Sequence, residues 1–216
     1  MPPSLLVFDL DGTLIDSYLD ISAAANLARA AFGFPEANSE ILHRNIGLPA
    51  RELFQDLSLN EAQMLEIVTS FREYLSMSME NGSVFFPGVL DFLRAANENG
   101  HSLAIATNKP MDLAIKLVSH CELSKLVQLT VGVGKFSAKP SPTMITYCTE
   151  YFEASSTIMF GDRVEDVQAA NMSGASAIGV VQGIHTEQEL FTSGASHVFP
   201  DFGKIHEYFA LNVWGR

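Results

Sequence analysis

Short apolar runs punctuate the chain at Leu5-Leu6-Val7-Phe8, Leu103-Ala104-Ile105-Ala106, Val127 to Val131, Ser156 to Phe160 and Ala177 to Val181. A weaker one follows at His197-Val198-Phe199. Runs this short, apolar at successive rather than alternate positions, suit strands buried on both faces of a parallel sheet. Helical spacing fills the intervals: Val89 to Asn99 stopped by Gly100, then Leu113, Leu117 and Cys121, then Ile145, Cys148 and Phe152. Thr186 with Glu189 forms a capping box for a short late helix, each side chain satisfying a backbone amide the helix leaves open. Strands alternating with helices predict an α/β fold, a doubly wound and mostly parallel sheet of Rossmann-like type.

From about Ser17 to Phe85 the pattern changes to helical spacing throughout. Ile21, Ala24, Ala25 and Ala28 form one stripe and Met64, Val68, Phe71 and Leu75 another, with Asn60 and Gln63 placed to start the second helix. The expectation is an all-helical cap at 17–85 inserted into an α/β core formed by 1–16 and 86–216. The Asn81-Gly82 turn signal and the Phe86-Pro87-Gly88 breaker would return the chain to the core.

Composition narrows what such a fold can do. The 216 residues are 47% hydrophobic and 18% charged, enough apolar material for a sizeable core. A formal net charge of -12, with no basic run, argues against a nucleic-acid partner. No run is long and apolar enough to span a bilayer, and acids at Asp9 and Asp11 come too early for a signal peptide, so a soluble, cytoplasmic protein without a membrane partner is expected. Cys121 and Cys148 lack any metal-ligand spacing and read as free thiols in helices. The aromatic and apolar residues of the final segment, Phe202 to Arg216, are expected to pack on the core.

Chemistry concentrates at the predicted strand ends. Asp9-Leu10-Asp11-Gly12-Thr13 directly follows the first run, and carboxyl ends of central strands are where ligands bind in such sheets. In isolation this pattern also fits a calcium loop or a polar strand end, although the EF-hand spacing is absent. Gly161-Asp162-Arg163-Val164-Glu165-Asp166 follows a later strand; helix capping explains one of its acids, but not acids recurring at separate strand ends. Asp9, Asp162 and Asp166, with the backbone carbonyl of Asp11, offer the oxygen ligands that suit Mg2+. Thr107, Asn108 and Lys109 follow the second core run, and Lys139 precedes Pro140 in a later loop. Their hydroxyl, amide and ammonium groups can bind phosphoryl oxygens and offset charge.

These four segments, in order, resemble the motifs of the haloacid dehalogenase superfamily, specifically its phosphatase branch with a small helical cap. The resemblance covers approximately Leu5 to Val181. It implies that Asp9 attacks phosphorus to form an aspartyl phosphate, and that Asp11 protonates the leaving alcohol and then activates water. Thr107 would hold the transferred phosphoryl group, Lys139 would stabilise nucleophile and intermediate, and Asp162 with Asp166 would hold Mg2+. Gly12, Thr13, Asn108 and Lys109 are the expected substrate-binding residues beside them.

The expected partner is a small phosphorylated metabolite. Asp16-Ser17, Ile46-Gly47-Leu48-Pro49 and Thr107-Asn108-Lys109-Pro110 resemble the corresponding segments of phosphoglycolate phosphatases. Arg44 is therefore a candidate contact for a substrate carboxylate, with Asn45 and the Gly47-Leu48-Pro49 turn beside it and Asp16, Ser17 and Tyr18 at the hinge. A sugar phosphomutase using the same acids, or a non-catalytic Mg2+-binding regulator, are the competing readings. The sequence leaves oligomeric state open.

Overall fold

The computed structural model describes residues 4–78 and 84–214. Strand β1 (Leu5–Phe8) lies inside a six-stranded sheet, between β4 (Ser102–Pro110) and β6 (Thr157–Gly161). Beyond β4 lies β5 (Leu129–Val133); beyond β6 lie β7 (Ser176–Val180) and β8 (His197–Phe199). Every neighbouring pair is parallel. The chain thus builds outward from β1 on one side and then returns to build on the other, which places the topological switch point beside β1.

Alternation along β1 explains why helices cover both faces. Leu6 and Phe8 join Leu103, Ile105 and Phe160 in one core with α4 (Val89–Glu98), α5 (Met111–His120) and α9 (Phe202–Phe209). Leu5 and Val7 join Ala104, Ala106 and Met159 in the other, against α6 (Thr143–Tyr151) and α7 (Val164–Ser173). Phe92 of α4 centres the first core, with its ring 6.2 Å from Phe8, 5.2 Å from Phe209 and 5.7 Å from Trp214. Burying one such ring contributes about 1.5–3 kcal/mol. The C-terminal segment through Trp214 therefore packs on the core, and the Trp214 indole donates to His101 Nε2 at 3.2 Å.

Helices α1 (Tyr18–Ala31), α2 (Ser39–Asn45) and α3 (Glu61–Ser78), with a 3-10 turn at Ala50–Phe54, form the helical cap, whose buried residues join the first core. Ile21, Ala24, Ala25 and Ala28 are buried on α1. The buried residues of α3 are Ile67, Phe71 and Leu75, while Met64 and Val68 are only half-buried. The face is thus turned toward Ile67, which lies three and four residues from Met64 and Phe71 and belongs to the same stripe. Asn60 and Gln63 start α3 as their spacing predicts, each side chain accepting the other's amide at 3.0 Å. The Thr186–Glu189 box likewise starts α8 (Glu187–Thr192). Inside the cap, Arg29 is buried and donates to both carboxylate oxygens of Asp56, at 2.9 and 2.7 Å, and to the Pro35 carbonyl at 2.8 Å.

Some expectations need correction. β5 begins at Leu129 because the Val127 amide is taken by Leu123 O at 2.9 Å, which closes a turn before the strand starts. Two strands escape the sequence pattern altogether: β2 (Ile15–Asp16) and β3 (Val84–Phe85) pair antiparallel where the cap joins the core. Two residues each is too short for a period to be read. The Asn81-Gly82 signal lies outside the described residues. Neither Cys121 nor Cys148 is in a disulfide, and burial pushes the Cys148 thiol up to about 12. Among the described residues no helix is long and apolar enough to cross a membrane.

Candidate active site

Register brings the predicted segments together. Phe8 lies opposite Ile105 on β4 and Phe160 on β6, so Asp9, Thr107 and Asp162 all emerge near one edge of the sheet. The Asp9 amide still donates to Phe160 O at 2.9 Å, and the chain then turns sharply. Leu14 and Ile15 both donate to Leu10 O at 3.0 Å, with Gly12 left-handed at φ 87°. A side chain there would be strained, and its Cβ would lie 2.9 Å from Asp162 Oδ2.

This turn aims the two first acids at different partners. Asp9 faces Lys139, whose Nζ lies 2.8 Å from Asp9 Oδ1, 2.5 Å from Asp166 Oδ1 and 2.8 Å from Ala106 O. Asp11 instead faces Lys109, which donates to both of its oxygens at 3.0 and 2.9 Å. All these residues are buried.

Asp9, Asp162 and Asp166 present carboxylate oxygens within 4.8 Å of one another. Burial, and then the Asp166 and Asp9 charges, push Asp162 up to about 8. Burial raises Asp9 to about 6 even though Lys139 pulls in the opposite direction. Burial alone would lower the Lys139 pKa, but Asp166 and Asp9 outweigh it and hold the ammonium above its ordinary range. Three buried acids against one ammonium leave negative charge uncompensated. A divalent cation resolves that imbalance, and an all-oxygen donor set fits a hard ion such as Mg2+. A Cβ on Gly183 would overlap Asp162 Oδ2, so this approach to the cluster also requires glycine.

Other expected residues lie here but are committed to different partners. The Thr13 hydroxyl donates to Asp162 Oδ1 at 2.6 Å and accepts the Asp162 amide at 3.1 Å, so it positions an acid rather than offering a free donor to substrate. The Asn108 side chain accepts the Lys139 amide at 2.7 Å and donates to Gly47 O at 3.0 Å, bridging two loops instead of pointing a free amide at a phosphoryl group. Thr107 accepts the Lys109 amide at 3.2 Å, which leaves its own hydroxyl hydrogen available.

Arg44 lies apart from the other expected residues. Its guanidinium is 72% exposed and pairs with Glu40 at 3.3 Å on α2, and it lines neither of the cavities beside Asp11 and Asp162. The cap reaches the site through backbone. Arg163 Nη1 donates to the carbonyls of Ile46, at 2.7 Å, and Arg44, at 3.2 Å, while its Nε pairs with Glu165 at 3.2 Å. Sequence reasoning assigned Arg163 no role, and no local signal separates it from a solvated residue in an acidic run.

Two small cavities lie where cap and core meet, and both touch Ile46. One borders Asp16, Ser17, Tyr18 and Gly12 and reaches Asp162. The other lies between Asp11, Asn108 and Lys109 on the core and an apolar wall of the cap that includes Ile21, Leu53, Phe71 and Leu75.

Comparison with known proteins places this arrangement. The sequence model of the haloacid dehalogenase-like hydrolases matches residues 6–180. A phosphoglycolate phosphatase of Haemophilus influenzae is 29% identical over 93% of this chain and 96% of its own length. A 5'-nucleotidase of Pseudomonas aeruginosa is also 29% identical, over 94% of this chain and 93% of its own. The crystal structure of a predicted phosphoglycolate phosphatase from Haemophilus somnus superimposes with a TM-score of 0.87 at 25% identity, covering 96% of this chain and 98% of that one.

Proposed function

The chain belongs to the haloacid dehalogenase-like hydrolase family, and on that premise we propose that it is a Mg2+-dependent phosphatase which hydrolyses a small phosphate monoester through an aspartyl phosphate on Asp9. The observation that carries this reading is the buried set of Asp9, Asp162, Asp166 and Lys139 at the carboxyl edge of the sheet. Residues 1–16 and 86–216 act as the catalytic core in this reading, and 17–85 as a cap that covers it.

Asp162, Asp166 and Asp9, with the Asp11 carbonyl, are the residues that would hold Mg2+. The ion supplies charge neutralisation between the attacking carboxylate and the phosphate. Asp9 Oδ attacks phosphorus as the ester oxygen departs, and Asp11 gives that oxygen its proton. Asp11 then takes a proton from water, whose oxygen attacks the phosphorus of the acyl phosphate. This releases inorganic phosphate and restores the Asp9 carboxylate.

Lys139 holds Asp9 in line and balances negative charge through both steps, while the Thr107 hydroxyl donates to a phosphoryl oxygen. Lys109 holds both Asp11 oxygens in a fixed orientation. Cap contacts keep bulk water away from the acyl phosphate.

Phosphoglycolate is the favoured substrate, by likeness to the Haemophilus influenzae relative and because Lys109 lines a small chamber next to Asp11. The test is phosphate release from a panel of phosphorylated acids, sugars and nucleotides, with and without Mg2+. Turnover that needs Mg2+ and is highest for phosphoglycolate supports the full reading. A preference for a nucleotide or sugar removes the substrate assignment, and absence of release from the whole panel removes the phosphatase.

A further inference from the structure

The chamber beside Asp11 holds one polar group with nothing to bind. Asn45, the last residue of α2, is 3% exposed, and its Nδ2 is buried without a hydrogen-bond partner. A buried amide donor without a partner is unfavourable, so such groups in native folds mark a role or a missing ligand. Around it the cap wall is apolar, formed by Ile21, Leu53, Phe71 and Leu75. Lys109 lines the same chamber; its ammonium gives two hydrogens to Asp11, at 3.0 and 2.9 Å, and keeps the third to offer.

Size restricts the occupant as well. The cavity is about 30 Å3, against the roughly 10–15 Å3 that a single water requires. With the cap in this position, that space suits a leaving group of a few heavy atoms.

We infer that Asn45 is a specificity-determining residue which donates, together with Lys109, to the carboxylate of a small hydroxy-acid leaving group. The inference rests on the phosphatase reading and adds to it the residue that selects the substrate. The Asn45 amide and the remaining Lys109 hydrogen give this chamber two donors, which suit the two acceptor oxygens of a carboxylate. A neutral alkyl group of the same size leaves the amide unpartnered, and that asymmetry is the source of discrimination.

The experiment compares phosphoglycolate with ethyl phosphate, which has a similar length and no carboxylate, in the wild type, Asn45→Leu and Asn45→Asp. The readout is the ratio of kcat/KM for the acid to kcat/KM for the neutral ester, a quantity that a general loss of packing does not move. The wild type favours the acid. Asn45→Leu lowers the ratio by about 10- to 100-fold, the effect of one hydrogen bond to a charged group. Asn45→Asp lowers it further by placing like charges together.

A ratio within threefold of wild type in both variants, with folding intact, overturns the assignment of Asn45 while the phosphatase stands. A wild type that prefers the neutral ester does the same. Hydrolysis of neither ester by the wild type with Mg2+ present overturns the assignment of Asn45, and the phosphatase falls with it only when the sugars and nucleotides of the panel also release no phosphate.

Discussion

Arg163 Nη1 lies 2.7 Å from the carbonyl oxygen of Ile46, which ties a side chain rooted beside Asp162 to the cap. A second bond from the same nitrogen reaches Arg44 O, and a Cβ on Gly47 would lie 2.8 Å from Arg163 Cδ, so the loop closes tightly over the guanidinium. The cap is held through main-chain acceptors, and the residues carrying those acceptors need no particular side chain.

Arg163→Ala removes both bonds, and the expected loss in kcat/KM is about 10- to 100-fold, since a hydrogen bond from a charged donor is worth about 1.5–3 kcal/mol. The lysine variant keeps a cation without the fork and recovers only part of that loss. Steady-state kinetics, together with the rate of limited proteolysis in the cap, checks this. Unchanged kinetics would show that the contact does not govern closure.

Asp9→Asn and Lys139→Ala should separate chemistry from stability. The first removes the nucleophile and one of three clustered like charges, so turnover falls by at least about a thousandfold, while metal-free stability stays level or rises. The second leaves three buried acids without their ammonium and costs about 3 kcal/mol or more. Phosphate release and urea unfolding in chelator, run on both variants, make the comparison.

Stability of the metal-free protein should fall as pH rises from about 4 to about 8. Folding raises Asp162 from 3.8 to about 8 and Asp9 from 3.8 to about 6. Across that window the folded state binds more protons than the unfolded chain, and the linkage slope is negative. The stabilisation is complete below the unfolded pKa and is lost as each acid ionises within the fold. Mg2+ binds the ionised cluster, so adding it reverses the trend at pH 8. Denaturant midpoints at pH 5 and pH 8, in chelator and in Mg2+, provide the check; equal midpoints in chelator would contradict it.

Within the cap, Asp56→Ala should destabilise the protein by about 3 kcal/mol, because Arg29 then stays charged and buried, with the Pro35 carbonyl as its remaining acceptor among the described residues. Hydrogen bonding by Arg29 holds the Asp56 carboxyl below its ordinary value. Its stabilising contribution is therefore present above the unfolded pKa and lost as pH falls through the folded one. Thermal melts of the two proteins at neutral pH measure the cost.

Much of this molecule is legible along the chain because its signals are local. Leu5 to Phe8 is apolar at every position because helices cover both faces of β1, and Asp9 follows at the strand end where the sheet stops needing apolar residues. The Asn60–Gln63 box is readable for the same reason: both partners lie within one helical turn. The four ordered motifs that place the chain in its family share that property, each being a short run of residues at a strand end or loop.

What escaped depends on pairs far apart in sequence. Arg44 and Arg163 carry the same charge, yet α2 turns one guanidinium to solvent while the strand end aims the other beneath the cap. Asp11 pairs with Lys109 and stands apart from the cluster of Asp9, Asp162 and Asp166 because the turn around Gly12 points it across the sheet to β4. The sequence by itself determined the strand ends, the helical insert and the residue types available at the site. Tertiary structure alone decided which lysine meets which acid, which arginine grips the cap and that Asn45 Nδ2 has no partner, because side-chain direction follows from long-range packing that no local period encodes.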